Sequence, residues 1–114
     1  MKEEIIDFDG MQVLYYIGTN AEDNFNVIGK GDPNDLWFHV NGISSCHVVM
    51  KFDNIIDKKT TRMLIKKGAL LCKQHTRKLS SQKNVEIIYT QIKNVAKTPI
   101  AGCVMTQNTK TICV

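Results

Sequence analysis

One amphipathic helix pattern stands among segments that alternate with the period of β-strands. In the run that starts at Asp57, apolar residues recur at the spacing of a helix with one buried face. Asp57 is of a type that caps helix N-termini, and the pattern predicts a helix over residues 58–78. Gly68 falls on the apolar side, where it costs about 1 kcal/mol of helix propensity relative to alanine. Close approach of this helix to a sheet would explain the glycine.

Short strand patterns precede the helix. The segment from Gln12 to Gly18 is apolar on both alternating faces, which predicts an inner strand, and "EIIDF" before Asp9-Gly10 predicts its hairpin partner. Asn20 is placed to cap a short helix over residues 21–26. Further strands are predicted at "DLWFHV", "SCHVVMKF" and "VEIIYTQI". The end of the chain, "GCVMTQ" and "KTICV", is typical of a hairpin that turns at Asn108.

These elements do not alternate as strand, helix and strand. The sequence therefore predicts an α+β fold, with an antiparallel-rich mixed sheet of about five to seven strands covered on one face by the long helix. The length suits a single domain over residues 1–114.

Several classes of protein are excluded by composition. No apolar stretch is long enough to cross a bilayer, and the acidic start "MKEEIIDFDG" is unlike a signal or transit peptide. We therefore expect a cytoplasmic protein with no membrane partner. No two cysteines form a C-x-x-C pair, so we expect reduced thiols rather than a zinc site. The four are Cys46, Cys72, Cys103 and Cys113.

The two halves of the chain carry opposite charge. Residues 1–57 hold three Lys and ten acidic residues, a net charge of −7, whereas residues 58–114 hold ten Lys, two Arg and one acid, a net charge of +11. Such an excess can focus positive potential on one surface, which favours an anionic partner such as nucleic acid. The alternative is that the halves interleave in space and their charges cancel.

A row of cations follows one side of the predicted helix. At about 100° per residue, five cations fall within about 60° of arc, away from the apolar side. No acid occurs among residues 58–85 to pair with them. Such a row can follow a phosphate backbone, and the alternative is an ordinary solvated face. Lys93 and Lys97 are predicted to extend the row, whose members are Lys59, Arg62, Lys66, Lys73 and Arg77.

The segment "NDLWFHVNGISSCHVVMKF" places the only tryptophan and two of the three histidines on a predicted strand pair. A two-residue Asn41-Gly42 turn would put His47 on the face of Phe38. Burying both apolar arms together is less costly, so we expect a longer loop. One sheet face then carries Asp35 together with Trp37, His39, Ser45 and His47.

This polar and aromatic face has several interpretations. An exposed aromatic patch among polar groups can stack unpaired bases. Alternatively, Trp37 belongs to the core beneath a second helix or loop. A metal site of Asp35, His39 and His47 is disfavoured, because positions i and i+4 of a strand lie about 13 Å apart. Ser45 and His47 as a nucleophile pair lack an identifiable oxyanion hole. We expect no metal and no cofactor.

The same segment resembles the hallmark of the NFACT-R domain, the RNA-binding module of NFACT proteins, which act in ribosome-associated quality control. Three further stretches are similar to this family. "DGMQVLYYIGTNAEDN" is similar to its opening strand, glycine and polar segment, "VEIIYTQIKNVAKT" to its Y-T-x-x-K-N-V-x-K segment, and "AGCVMTQNTKTICV" to its closing strands. Many members have Pro-Gly-Ser before the His-Val pair. The Ile43–His47 stretch is closer to the stand-alone eukaryotic coiled-coil members.

The resemblance implies a stand-alone, non-catalytic RNA-binding module that engages tRNA or ribosomal RNA, with the ribosome as a further partner. In this hypothesis the helix cations, Lys93 and Lys97 hold phosphates, while Trp37, His39, Ser45 and His47 meet bases or sugars. One alternative is a protein-interaction module that binds an acidic partner through the basic helix. The other is a His-dependent, metal-assisted nucleic-acid hydrolase.

Overall fold

A computed structural model describes residues 1–8, 10–52 and 57–114. It confirms the predicted α+β fold, with a six-stranded antiparallel sheet in the order β1-β2-β4-β3-β5-β8 and a separate two-stranded sheet, β6-β7. In the described ranges no helix has the length and apolar character needed to span a bilayer. The elements are β1 (Lys2–Phe8), β2 (Met11–Ile17), α1 (Ala21–Gly29), β3 (Leu36–Val40), β4 (Val48–Met50), α2 (Lys58–Gln74), β5 (Glu86–Gln91), β6 (Val95–Lys97), β7 (Val104–Thr106) and β8 (Lys110–Cys113).

The N-terminal hairpin forms as predicted. β1 pairs with β2 from Lys2 opposite Ile17 to Phe8 opposite Met11, and β2 is an inner strand between β1 and β4. Asp9 of the predicted turn lies outside the described residues. Gly10 has φ +85°, in the left-handed region that favours glycine.

The long helix begins where the sequence predicts and ends earlier. Asp57 caps α2, because its side chain accepts a hydrogen bond from the backbone N–H of Thr60 at 2.7 Å. The helix ends at Gln74 rather than at residue 78. The Thr76 hydroxyl donates to the carbonyl of Cys72 at 2.8 Å, so a side chain takes a carbonyl that the next turn would use. A 3-10 turn, Arg77–Leu79, follows.

Gly68 lets α2 lie close to the sheet, as its position on the apolar side predicted. A Cβ at this position would lie 2.6 Å from Cζ of Phe38, which is fully buried. The main core lies between α2 and the face of the sheet that carries Phe38. Its largest fully buried members are Tyr15, Phe38, Ile17, Met50, Leu64, Leu71 and Ile87.

The other sheet face is covered as well, which corrects the expectation of one covered face. The Asn20 side chain caps α1 by accepting from the Asp23 N–H at 2.8 Å, and α1 runs to Gly29 rather than to residue 26. Val27 and Ile28 of α1 are buried against Trp37 in a second apolar cluster. The mainly polar composition of residues 19–34 hid this short apolar stripe.

The predicted C-terminal hairpin is wrong. β7 pairs with β6, and β8 pairs with β5 at the edge of the main sheet. The Thr90 hydroxyl of β5 lies 3.0 and 3.2 Å from the carbonyl oxygens of Gln107 and Asn108, and it donates to this segment between β7 and β8. Val85 and Val114 exchange two backbone hydrogen bonds, which fixes the register of β8 on β5. These contacts join segments that are distant in sequence, so the local sequence around Asn108 does not indicate them.

Candidate nucleic-acid interface

The strands β3 and β4 pair with their apolar sets on one face. Phe38 lies opposite Val48, and Trp37 lies opposite Val49. Residues 41–47 connect the two strands, so the loop is longer than a two-residue Asn-Gly turn. The predicted coincidence of the apolar faces is confirmed, and it places Trp37, His39 and His47 together on the opposite face.

Three rings form a compact group on that face. The Trp37 indole N–H donates to Nδ1 of His47 at 3.1 Å. The indole stacks on His39 with 5.6 Å between ring centroids and 7° between planes, and the two imidazoles meet edge to face at 4.9 Å. We call these residues the ring trio.

The ring trio is largely core, and only His39 keeps partial exposure. Trp37 and His47 are each 1% exposed, because α1 covers them. The interpretation of Trp37 as an exposed stacking platform is therefore wrong, and its alternative, a core residue beneath a second helix, is confirmed.

Both imidazoles of the ring trio are neutral at neutral pH. Burial, assisted by the nearby His39, lowers the pKa of His47 to about 3, against an opposing hydrogen bond with the backbone of Gly102. Burial also lowers the pKa of His39. His39, the ring of the trio that keeps partial exposure, can therefore offer a hydrogen bond and a flat surface to a ligand, but not positive charge.

The loop from β3 to β4 is held by polar contacts. The His47 backbone N–H donates to Oδ1 of Asn24 at 3.0 Å, and its carbonyl accepts from the N–H of Gly18 at 2.9 Å. A Cβ at Gly18 would lie 2.0 Å from Oδ1 of Asn24, so glycine is needed there. The Ser45 hydroxyl accepts from the Val40 N–H and donates to the Cys46 carbonyl, both at 3.0 Å. Ser45 is thus engaged in shaping this loop.

Asp35 stabilises the fold near the start of β3. Its carboxylate accepts from the backbone N–H groups of Phe52 and Asp32, at 2.8 and 2.7 Å, and pairs with Lys51 at 2.6 Å. Its oxygens are therefore occupied. In the ranges that the structure describes, no group of three or more His, Cys, Asp or Glu residues comes together to hold an ion. The hydrolase alternative has no ligand set there.

A cleft of about 1070 Å³ opens over the ring trio. It lies between the loop from β3 to β4, the start of α1, the end of α2, and the segment before β7. We call it the β3–β4 cleft. Its lining includes Lys2, Asn20, Ala21, His39, His75, Arg77 and Ile88.

Of these residues, sequence reasoning identified only His39 and Arg77 as candidates for the site. It assigned no binding role to Lys2, Asn20, His75 or Ile88. Tertiary packing brings them together from five elements or turns, and no local motif marks them.

The predicted row of five cations is shorter than expected. Lys59, Arg62 and Lys66 lie exposed on α2. Lys73 is half-buried, and its Nζ donates to the carbonyl of Val114 at 3.2 Å. Arg77 lies beyond the end of α2, in the 3-10 turn, and lines the β3–β4 cleft. We call Lys59, Arg62 and Lys66 the α2 row.

Lys93 and Lys97 do not extend the α2 row. α2 packs on the Phe38 face, whereas β6 packs with Trp37 and α1 on the opposite face. The Nζ of Lys97 lies 5.5 Å from the ring centroid of Phe25 in α1. These two lysines therefore belong to a different surface from the α2 row.

The ion pairs of the described residues leave the α2 row unpaired. They join the N-terminal ammonium group of Met1 to Asp23, and Lys51 to Asp32 and Asp35, all within the acidic half of the chain. In the main sheet the strands of the first half, β1, β2, β4 and β3, lie side by side, and β5 and β8 of the second half follow at one edge. No described ion pair joins one half to the other. The alternative, in which the two halves interleave and their charges cancel, therefore finds no support in the ion pairs of these residues.

Comparison with known proteins gives a consistent result. Residues 6–112 match the model of the NFACT protein RNA binding domain. Coiled-coil domain-containing protein 25 of Danio rerio is 36% identical over 88 residues, which cover 73% of this chain and 41% of that protein. A homolog in Dictyostelium discoideum is 30% identical over 92 residues, which cover 76% of this chain and 43% of that protein. The chain spans about two-fifths of the length of these relatives.

A solved structure has the same fold. The C-terminal part of the fibronectin/fibrinogen-binding protein from Streptococcus suis superposes with a TM-score of 0.79 at 24% identity, over 98% of this chain and 44% of that one. At this identity the similarity concerns the fold alone.

Proposed function

We propose, on the premise that this chain belongs to the NFACT protein RNA binding domain family, that residues 1–114 act as one non-catalytic RNA-binding module. Its targets are tRNA or ribosomal RNA, in the setting of translation and ribosome quality control in the cytoplasm. The family supports RNA as the ligand, and the α2 row supports the way in which RNA is held.

The α2 row carries this proposal. Lys59, Arg62 and Lys66 are exposed, fall on one side of the helix, and make no ion pair with a described residue. At 1.5 Å per residue they cover about 10 Å of the helix axis. Cations that are free of carboxylate partners can neutralise phosphates and release counterions, which supplies most of the affinity in non-specific RNA binding.

α2 also leads from this row to the β3–β4 cleft. Lys66 lies about 12 Å along the helix axis from Gln74, and Gln74 lines the cleft. Arg77 follows in the next turn at the cleft rim. One RNA can therefore contact both surfaces. Lys93 and Lys97, on the opposite side of the sheet, contribute only where the RNA reaches around the molecule.

The test is the salt dependence of binding to a tRNA transcript. We expect the logarithm of the affinity to fall linearly with the logarithm of salt concentration. Alanine at all three positions of the α2 row should weaken binding and reduce the slope by about two to three, because each phosphate contact contributes about 0.9.

A matched variant removes the same charge from other surfaces. Lys30, Lys83 and Lys110 are exposed and lie outside the α2 row, and their triple alanine variant should keep most of the affinity. The proposal is overturned if the wild-type chain fails to bind RNA at low salt. It is also overturned if both triple variants lose the same affinity.

An acidic protein partner is the second candidate, because the α2 row offers the same charge to a carboxylate surface. Pull-down with and without nuclease treatment separates the two. Partners held through RNA are lost on nuclease treatment, whereas a protein bound directly to α2 remains.

A further inference from the structure

The β3–β4 cleft is a concave site to which phosphate binding by the α2 row assigns no role. Its volume of about 1070 Å³ slightly exceeds the usual range of ligand pockets, about 300–1,000 Å³. It is thus large enough for a nucleotide, and it is far too small for a duplex.

The lining of this cleft favours a phosphate group. Among the described residues that line it, none is Asp or Glu, although the chain holds 11 acidic residues. Lys2 and Arg77 supply positive charge at the rim, and α1 begins there with Asn20 as its cap. Asp23 of the same turn accepts from the hydroxyl of Thr19 at 2.8 Å and does not line the cleft.

The floor of the cleft favours a planar ring. His39 keeps partial exposure above the buried Trp37, and half-buried Ile88 lies opposite His39 on β5. An imidazole that burial keeps neutral offers both a hydrogen bond and a flat surface, as an aromatic platform for a base does. Phosphate-binding charge at the rim and a flat, neutral floor together match a nucleotide.

We propose that the β3–β4 cleft receives one unpaired nucleotide of the bound RNA, with its base against His39 and Ile88 and its phosphate near Arg77. This site rests on the proposed function and adds a class of partner to it. Paired bases of an A-form helix are stacked inside the duplex, and its deep, narrow major groove is closed to side chains. The partner is therefore RNA with an unpaired end, bulge or loop beside a helix that lies on α2.

The experiment compares three hairpin RNAs of the same stem: one with a blunt end, one with a short 3′ overhang and one with a short 5′ overhang. Affinity is measured by fluorescence anisotropy. We expect at least one overhang to bind about five-fold tighter than the blunt RNA, or more, which is the lower end of what one stacked base contributes. The emission of Trp37, the only tryptophan in the chain, should change with that overhang RNA and stay constant with the blunt RNA.

Two neighbours in the 3-10 turn give a matched pair of variants. Arg77 and Lys78 are both exposed, but only Arg77 lines the cleft. Arg77→Ala should abolish most of the overhang preference, whereas Lys78→Ala should keep it. His39→Ala should act like Arg77→Ala. If His39→Ala fails to fold by circular dichroism, the Arg77 and Lys78 pair decides.

The outcomes separate the two proposals. Failure of the wild-type chain to bind any of the three RNAs overturns the proposed function. Equal affinity for blunt and overhang RNAs, or an overhang preference that persists in Arg77→Ala, overturns the cleft site and leaves RNA binding through α2 in place.

Discussion

The buried His47 makes the stability of this fold sensitive to acid. The ring accepts the Trp37 indole N–H on Nδ1, which requires that nitrogen to be unprotonated. Its pKa of about 3 in the folded state lies below the usual value near 6.5 for histidine. Between these values the unfolded chain binds a proton that the folded chain does not, so stability must decrease as pH falls from about 6.5 towards about 3.

The magnitude follows from the size of the pKa shift. Each pH unit inside this window removes about 1.4 kcal/mol, so a change from about pH 7.5 to about pH 4.5 should lower the free energy of unfolding by about 2.5–3 kcal/mol. His39, whose pKa burial also lowers, acts in the same direction. The lowest pH of the series is about 4.5, which lies above the usual pKa of Asp and Glu side chains. Protonation of carboxylates therefore contributes little to the change in stability.

The assay is urea unfolding at a series of pH values, for the wild-type chain and for His47→Gln, which cannot titrate. The variant should be less stable at neutral pH and should lose much less stability on acidification. A wild-type stability that stays constant across the window would refute this reasoning. An unchanged pH dependence in His47→Gln would refute it as well.

Three further predictions concern substitutions at other buried positions. Trp37→Ala should lower the free energy of unfolding by about 3–5 kcal/mol, as for a buried aromatic. It should reduce binding of the blunt hairpin RNA only in proportion to the unfolded fraction, measured by melting and anisotropy on the same sample. Gly68→Ala gains helix propensity of about 1 kcal/mol but drives a methyl group to 2.6 Å from buried Phe38. Overpacking of about 1–3 kcal/mol should prevail, and a raised melting temperature would contradict this. Asp35→Ala leaves two backbone N–H groups without their acceptor and should cost about 2–4 kcal/mol in urea unfolding. The exposed Asp32→Ala should cost less than about 1 kcal/mol.

The parts of the fold that the sequence predicts are those with strong local periodicity. Residue spacing over a few turns or residues is enough to predict three features. They are the apolar stripe of α2, its cap at Asp57, and the alternation of apolar and polar residues in β3 and β4. The pairing register of β3 and β4 was also predictable, because a shift of one residue would have placed His47 on the sheet face of Phe38.

The parts that failed depend on contacts between distant segments. The position of β8 beside β5 is set by contacts with Thr90 of β5 and with Val85, which precedes β5. Both residues lie far from β8 in sequence. The burial of Trp37 depends on α1, whose apolar residues Val27 and Ile28 sit in a mainly polar stretch. The cleft rim is assembled from β1, α1 and the turn after α2, so Lys2, Asn20 and His75 carry no local signal of their role.

Crosslinking of the chain to RNA in cells tests the central claim, RNA binding by this module, most directly. Ultraviolet light is applied to cells that express the wild-type chain or the triple alanine variant of the α2 row. The chain is then purified under denaturing conditions, and the attached RNA is sequenced. Structured RNA of the translation apparatus, tRNA or ribosomal RNA, should be recovered with the wild-type chain and strongly reduced with the variant. Recovery of no RNA above background, or of equal RNA with both chains, would contradict binding through α2.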